Sequence, residues 1–285
     1  MLACFLLSSL LATTQPIKFD ENEPAKKFSP ISLVFNRIFS ISGLDSFYQK
    51  LYQVKKTKKA IVNIVHIGDS HIQSDHLPGM VRKGFQHFFG DAGKGIAFSH
   101  ELSLHATDPG SRSHFKDDNY GVIYHTIGVN GARFESFIKS TYFWEQFPAM
   151  KADLVIISLG TNDAQGEFNE TDFHQQITIL LDKIKKAAPG AAILFTTAAD
   201  SFKAGYPNRE LWTMNISLFS YCTGNSIPVW DLYRTTNGYG SAYNWIKRGM
   251  MDADGIHYTA KAYEVQGQLL FNALAGGYNS YISSY

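Results

Sequence analysis

Four short stretches of this chain carry residue types that could do chemistry. Gly68-Asp69-Ser70-His71 places a serine hydroxyl directly after the apolar run 61–67. A hydroxyl in the turn between a buried strand and a helix sits at the sheet edge. The N-terminus of that helix favours negative charge developing there. The same tetrapeptide also reads as a helix cap, with Asp69 or Ser70 holding a first-turn amide. Gly160-Thr161-Asn162-Asp163 follows the run 154–159. Its asparagine can aim an NH2 group at an oxyanion, although Gly, Asn and Asp are also the ordinary residues of a turn. Asp254-Gly255-Ile256-His257 stands before the last helical segment. A histidine can take the proton of a serine, and an acid three residues earlier can orient the ring and balance its charge. The bland reading is a surface Asp-Gly turn with a histidine facing solvent. Gly128-Val129-Asn130-Gly131 offers a glycine whose backbone N–H can come close to a ligand oxygen.

The elements that must position these groups follow from hydrophobic period. Residues 61–67, 154–159 and 191–197 are short β-branched or apolar runs, as expected of strands buried on both faces, and 122–127 and 227–233 are weaker strands. Residues 173–188 place Ile177, Leu180, Leu181 and Ile184 on one helical face. Lys185 and Lys186 suit the negative end of that helix, and Pro189-Gly190 stops it. Residues 209–222 and 259–274 also read as helices, the second with Thr259 as N-cap. Strands alternating with amphipathic helices predict an α/β fold around a parallel sheet, whose working groups lie at the carboxyl ends of strands.

The four stretches in this order resemble the SGNH hydrolases, the GDSL lipase/esterase superfamily. GDSH stands at 68–71, VNGA at 129–132, GTND at 160–163 and DGIH at 254–257, and the likeness covers roughly residues 60–275. It implies a three-layer α/β/α sandwich with a central parallel sheet, flavodoxin-like in plan. It also implies Ser70 as nucleophile, His257 as base and Asp254 as its acidic partner. The oxyanion hole would come from the Ser70 amide, the Gly131 amide and the Asn162 side chain. One departure is that the strand at 191–197 continues as Ala198-Ala199-Asp200, where many relatives carry prolines. A narrower resemblance rests on residues 68–98, where GDSH is followed by Gly90-Asp91-Ala92-Gly93-Lys94-Gly95. That pairing is similar to bacterial envelope acetylesterases, including peptidoglycan O-acetylesterases. The implied activity is hydrolysis of O-acetyl or other short acyl esters on a cell-envelope or dietary glycan through an acyl-enzyme. The alternatives are a lipase or thioesterase acting on longer chains, or a silent glycan-binding module.

Other residues invite rival readings. His66, His71 and His76 recur every five residues beside Asp69 and Asp75, a spacing that aligns ligands on neither a strand nor a helix, so neither metal nor other cofactor is expected. His100, His105 and His114 fall in the irregular stretch 90–120, rich in Gly, Asp, Ser and His, where they could line the substrate cleft, although solvated loop histidines are the commoner outcome. Arg112 and Arg133 could meet an anionic substrate, although isolated arginines more often form surface ion pairs. The run Tyr142-Phe143-Trp144 could stack on sugar rings, although consecutive side chains diverge, so most of it should pack inward.

The whole chain bounds these readings. It has 285 residues, 45% apolar and 14% aromatic, enough for a sizeable core and too apolar for wholesale disorder. Twenty-six Lys+Arg against 25 Asp+Glu leave a net charge of +1, which gives a nucleic-acid partner no support. Cys4 and Cys222 are too few for a disulfide framework or an all-cysteine zinc site. Residues 2–12 resemble the apolar core of a secretory signal and are too short to span a bilayer, so a periplasmic or secreted protein without a membrane span is expected. The chain therefore divides into a signal or its remnant at 1–20, a linker with a peripheral helix at 21–58, and the hydrolase domain at 59–285.

Overall fold

The computed structural model describes residues 15–27, 31–98, 114–115 and 120–284. The signal-like stretch, Cys4, His100, His105, Arg112 and the side chain of His114 lie outside the described residues. The elements that matter for the site are, in chain order, β1 (Ile38–Phe39), α1 (Asp45–Thr57), β2 (Ile61–Gly68), α2 (Ser70–Gln73), α3 (His76–Phe89), β3 (Asp91–Lys94), β4 (Gly121–Gly128), β5 (Leu154–Ser158), α4 (Glu170–Ala187), β6 (Ala192–Thr196), α5 (Arg209–Gly224), β7 (Val229–Trp230) and α6 (Ala260–Ser283).

Alternation along the strands sets the layers. Val62 and Ile64 of β2, Leu154 and Ile156 of β5 and Leu194 of β6 face one core with α1, α3 and α6. Val65 and Ile67, Val155 and Ile157, and Ile193 and Phe195 face the other, against α4 and α5. Strands apolar on both faces must be covered on both faces, and the result is the α/β/α sandwich. The sheet runs β1-β7-β6-β5-β2-β4-β3 and then 114–115, with 97–98 also on β4. β2, β3, β4, β5, β6 and β7 pair in parallel, and the flanking β1 and 114–115 pair antiparallel.

Register brings the chemical stretches together. Gly68 at the end of β2 is level with Gly128 of β4 and Ser158 of β5. The three turns that follow therefore leave the same edge of the sheet, side by side. A line of side chains ties the strands just below that edge. Thr196 of β6 donates to Ser158 of β5 at 2.8 Å, and Ser158 meets His66 Nε2 of β2 at 2.7 Å. His66 Nδ1 meets the Tyr124 hydroxyl of β4 at 2.8 Å. With the Ser158 oxygen accepting from Thr196, its own proton goes to Nε2, leaving Nδ1–H to donate to Tyr124. Burial pushes the His66 ring down to about 3, so it stays neutral in this role.

The helices follow their sequence signals, with three informative differences. Asn169 caps α4 by accepting from the Asp172 amide, and Asn208 caps α5 by accepting from Leu211. Thr259 occupies the N-cap position of α6, but its side chain makes no cap bond and reaches the Met250 carbonyl instead. α6 runs to Ser283 rather than ending near 274, because its last turns remain in the core. Gly277 there lies so close to α1 that a Cβ would come within 2.2 Å of the Tyr48 hydroxyl. The third difference concerns 21–58, expected as a linker with a peripheral helix. Phe47, Tyr48, Leu51 and Val54 of α1 are fully buried, and β1 extends the sheet beside β7.

Candidate active site

The turn after β2 is held by Asp69, which caps α2 by accepting from the His71 amide at 3.0 Å. Ser70 opens α2, so its N–H belongs to the first-turn amides that have no carbonyl partner within the helix. Close approach makes the turn possible. A Cβ on Gly68 would lie 2.6 Å from the Ser158 carbonyl oxygen, and one on Gly128 would lie 2.2 Å from the Gln73 amide nitrogen. Only glycine lets β2, β4 and α2 close around the serine at these distances.

The structure brings Ser70, Asp254 and His257 together. Ser70 Oγ lies 2.9 Å from His257 Nε2, and His257 Nδ1 lies 2.6 Å from Asp254 Oδ2. Burial raises the Asp254 carboxyl, but bonds from the His257 ring and from the amides of His257 and Ile256 outweigh it and hold the group below its usual range. An ionised carboxylate only accepts, so His257 Nδ1 carries a proton and donates it to Asp254. In the neutral ring Nε2 is then the acceptor, and Ser70 Oγ–H donates to it. That line can carry a proton off the serine as its oxygen attacks. The amides of Ile256 and His257 donate to Asp254 Oδ1 at 2.8 and 2.9 Å, so the acid, the ring and the turn form one unit.

Gly131 adopts φ +71, a left-handed conformation that favours glycine, and the space where a Cβ would stand is open. Its N–H pairs with no described residue. Asn162 arrives from the turn after β5. Its Nδ2 donates to the Ala132 carbonyl at 3.1 Å and makes a long 3.4 Å contact to Asp69 Oδ2. One amide hydrogen is thus fixed on the glycine stretch, and the other is weakly held beside the serine turn. Asp163 braces the same region by accepting from the Phe134 amide at 3.2 Å. Burial pushes Asp69 up to about 7 and Asp163 up to about 6, the neighbouring Asp69 adding to the latter.

Support that sequence reasoning did not find surrounds His257. The Tyr258 amide donates to the Tyr263 hydroxyl oxygen, and Tyr263 in turn meets His71 Nδ1 at 2.8 Å. Burial pushes His71 down to about 3, so its ring is neutral, and it lies 5.3 Å from the His257 ring. Asp200, the departure from the proline pattern, is buried. Its main-chain oxygen accepts from the Tyr258 hydroxyl at 2.6 Å, and its carboxylate accepts from the Ala242 amide. Apart from the Tyr258–Tyr263 bond, these bonds join residues far apart in sequence, and no local pattern announces them. The Gly90–Gly95 segment supplies β3 and a charged anchor. Asp75, just beyond α2, is held by Arg82 at 2.9 Å and Lys94 at 2.6 Å.

His66 and His71 are engaged as described, and His76 is exposed at the start of α3. Among the described residues no three His, Cys, Asp or Glu side chains group as metal ligands would. Arg133 is exposed beside the glycine stretch. Phe143 is buried, while Trp144 is half-buried and donates to the Phe137 carbonyl.

Comparison with known proteins fits this geometry. The GDSL-like Lipase/Acylhydrolase family is matched over residues 103–265, more than half of the chain. The chain belongs to that family. As a GDSL-type protein it is a carboxylic ester hydrolase. The matched stretch includes Gly131, Asn162, Asp254 and His257, while Ser70 precedes it. The fold is shared with a peptidoglycan O-acetylesterase at a TM-score of 0.72 and 18% identity, over 82% of this chain and 96% of that one. It is shared also with a lipase/acylhydrolase from Enterococcus faecalis at 0.52 and 17%, over 75% and 96%. No curated protein matches the chain in sequence. Among the described residues, no helix is long and apolar enough to cross a membrane.

Proposed function

We propose that this GDSL hydrolase removes short acyl groups, acetyl above all, from a cell-envelope glycan, with Ser70 as nucleophile. The observation that carries the proposal is the line from Asp254 through His257 to Ser70, 2.6 and 2.9 Å long. Ser70 Oγ attacks the ester carbonyl as its proton passes to His257 Nε2, and Asp254 balances the imidazolium. The carbonyl oxygen becomes an oxyanion that accepts from the Ser70 amide, the Gly131 amide and Asn162 Nδ2. On collapse the bond to the sugar oxygen breaks, and His257 returns its proton to that oxygen. A water molecule then gives a proton to His257, attacks the acyl-enzyme and releases the acid and free Ser70.

The glycan ester is favoured by the envelope-type resemblance of residues 68–98 and by the signal-like stretch at 2–12, which argues for work in the periplasm or outside the cell. It is favoured too by the fold shared with a peptidoglycan O-acetylesterase.

Hydrolysis of p-nitrophenyl acetate by wild type, Ser70→Ala and His257→Ala tests the mechanism. Each substitution is expected to lower kcat by about 10⁴-fold or more. A wild-type rate no higher than that of the variants would leave a catalytically silent module. A chain-length series tests the acyl group, with acetate esters expected to be cleaved best. A preference for octanoate would identify a lipase instead.

A further inference from the structure

The large aromatic side chains exposed among the described residues all fall within residues 206–243, and contacts join three of them, Trp212, Tyr239 and Tyr243, into a ridge that leads to the catalytic turn. The four are Tyr206, Trp212, Tyr239 and Tyr243, between 44% and 73% exposed, whereas the other exposed large apolar residues are the aliphatic Val34, Ile61 and Ile216. Each step along the ridge is a contact. The Trp212 and Tyr239 rings lie 6.0 Å apart, and the Tyr239 hydroxyl reaches the Pro207 carbonyl at 3.5 Å. Pro207 is the strand partner of Phe202 in the hairpin 202–207, and the Phe202 ring packs 4.7 Å from that of Tyr243. The Phe202 amide donates to the Gly255 carbonyl at 2.7 Å, inside the turn that carries Asp254 and His257. Phe202 is also fixed from the other side, its carbonyl accepting from Gln165 beyond the Asn162 turn.

Burying aromatic rings stabilises a protein, and leaving three linked rings in water forgoes that gain, so such a cluster marks a binding surface. Its composition selects the occupant. An alkyl chain or a bilayer would call for a continuous aliphatic surface. Here flat rings with polar tips are spaced along a path, and they match the apolar faces of sugar rings while their hydroxyls and indole N–H meet sugar hydroxyls. We propose that this ridge binds the polysaccharide chain of the substrate, holding successive sugar units while the acylated unit lies at Ser70. The inference rests on the glycan-ester reading and gives that reading a place for the polymer.

The test uses full-length Ser70→Ala protein, which cannot consume its ligand, sedimented with insoluble O-acetylated peptidoglycan and separately with phosphatidylcholine vesicles. Binding to the peptidoglycan and not to the vesicles is expected. Adding Trp212→Ala and Tyr243→Ala should weaken that binding at least about fivefold, and Trp212→Phe with Tyr243→Phe should restore most of it. An unchanged melting temperature shows that the alanine protein is folded. Alanine variants that bind as well as the parent, or binding to vesicles alone, would overturn the proposal. Hydrolysis of p-nitrophenyl acetate by wild type separates the two claims. Activity without peptidoglycan binding sinks the ridge alone, and ridge-dependent binding without activity sinks the hydrolase mechanism alone.

Discussion

Residue by residue, the site shows burial and hydrogen bonding setting different roles for similar groups. Asp254 is held ionised by three donors, whereas Asp69, buried under the serine turn, is pushed up to about 7. A charged Asp69 beside a forming oxyanion would oppose it, so its high value suits the chemistry. The same shift shapes stability. Below about pH 4 both folded and unfolded chains hold this proton; between about 4 and 7 only the folded chain does. Asp69 therefore contributes stability that is present at low pH and is lost as pH rises through about 7. The expected result is that Asp69→Asn flattens the fall in melting temperature between pH 5 and 8; an unchanged slope would show that Asp69 is ionised in the folded protein. At Asp254, asparagine keeps the size and removes the charge. Asp254→Asn should lower kcat by about 10³-fold or more, measured on p-nitrophenyl acetate.

Among the elements, glycines decide how closely the serine turn can sit. Gly128→Ala would press a Cβ against the backbone of Gln73, moving α2 and with it Ser70. A displacement of this kind should cost about 10–100-fold in kcat while leaving the fold intact by circular dichroism. α1 carries a different prediction. Phe47 is fully buried between α1 and the helices of its face, so Phe47→Ala should destabilise the protein by about 3–5 kcal/mol in urea unfolding. A loss below about 1 kcal/mol would put α1 outside the folding unit. Sequence made the strands visible because runs such as 61–67 and 154–159 are apolar on both faces apart from Asn63, His66 and Ser158, and made the helices visible through period and caps. It did not reveal the packing of α1, whose lysine-rich end reads as surface while its aromatic face is core. Ser70, His257, Asp254, Gly131 and Asn162 were legible because each lies in a short stretch beside a strand or helix end. Asp200, Tyr258, Tyr263 and His71 were not, since their value lies in contacts across the fold.

For the molecule as a whole, balanced charge is the dominant electrostatic fact. With a net charge of +1, the protein has little net charge with which to attract a charged polymer from a distance. Hydrolysis of a neutral ester should change less than about twofold in kcat/KM between 50 and 300 mM salt, a range over which surface interactions are progressively screened. A steep fall would point to a charged substrate. The architecture agrees with this economy. The parallel sheet delivers three turns to one edge, the last helix is preceded by the turn bearing the acid and base, and the aromatic ridge extends outward from that turn.

The central claim is that Ser70 is the nucleophile, and covalent capture tests it most directly. Wild-type protein treated with an alkyl fluorophosphonate should gain the mass of one phosphonyl group, located by peptide mass spectrometry on Ser70 Oγ. Ser70→Ala should gain none, and His257→Ala should react far more slowly. Labelling of a different residue, or a wild-type protein that hydrolyses p-nitrophenyl acetate yet is never labelled at Ser70, would contradict the account.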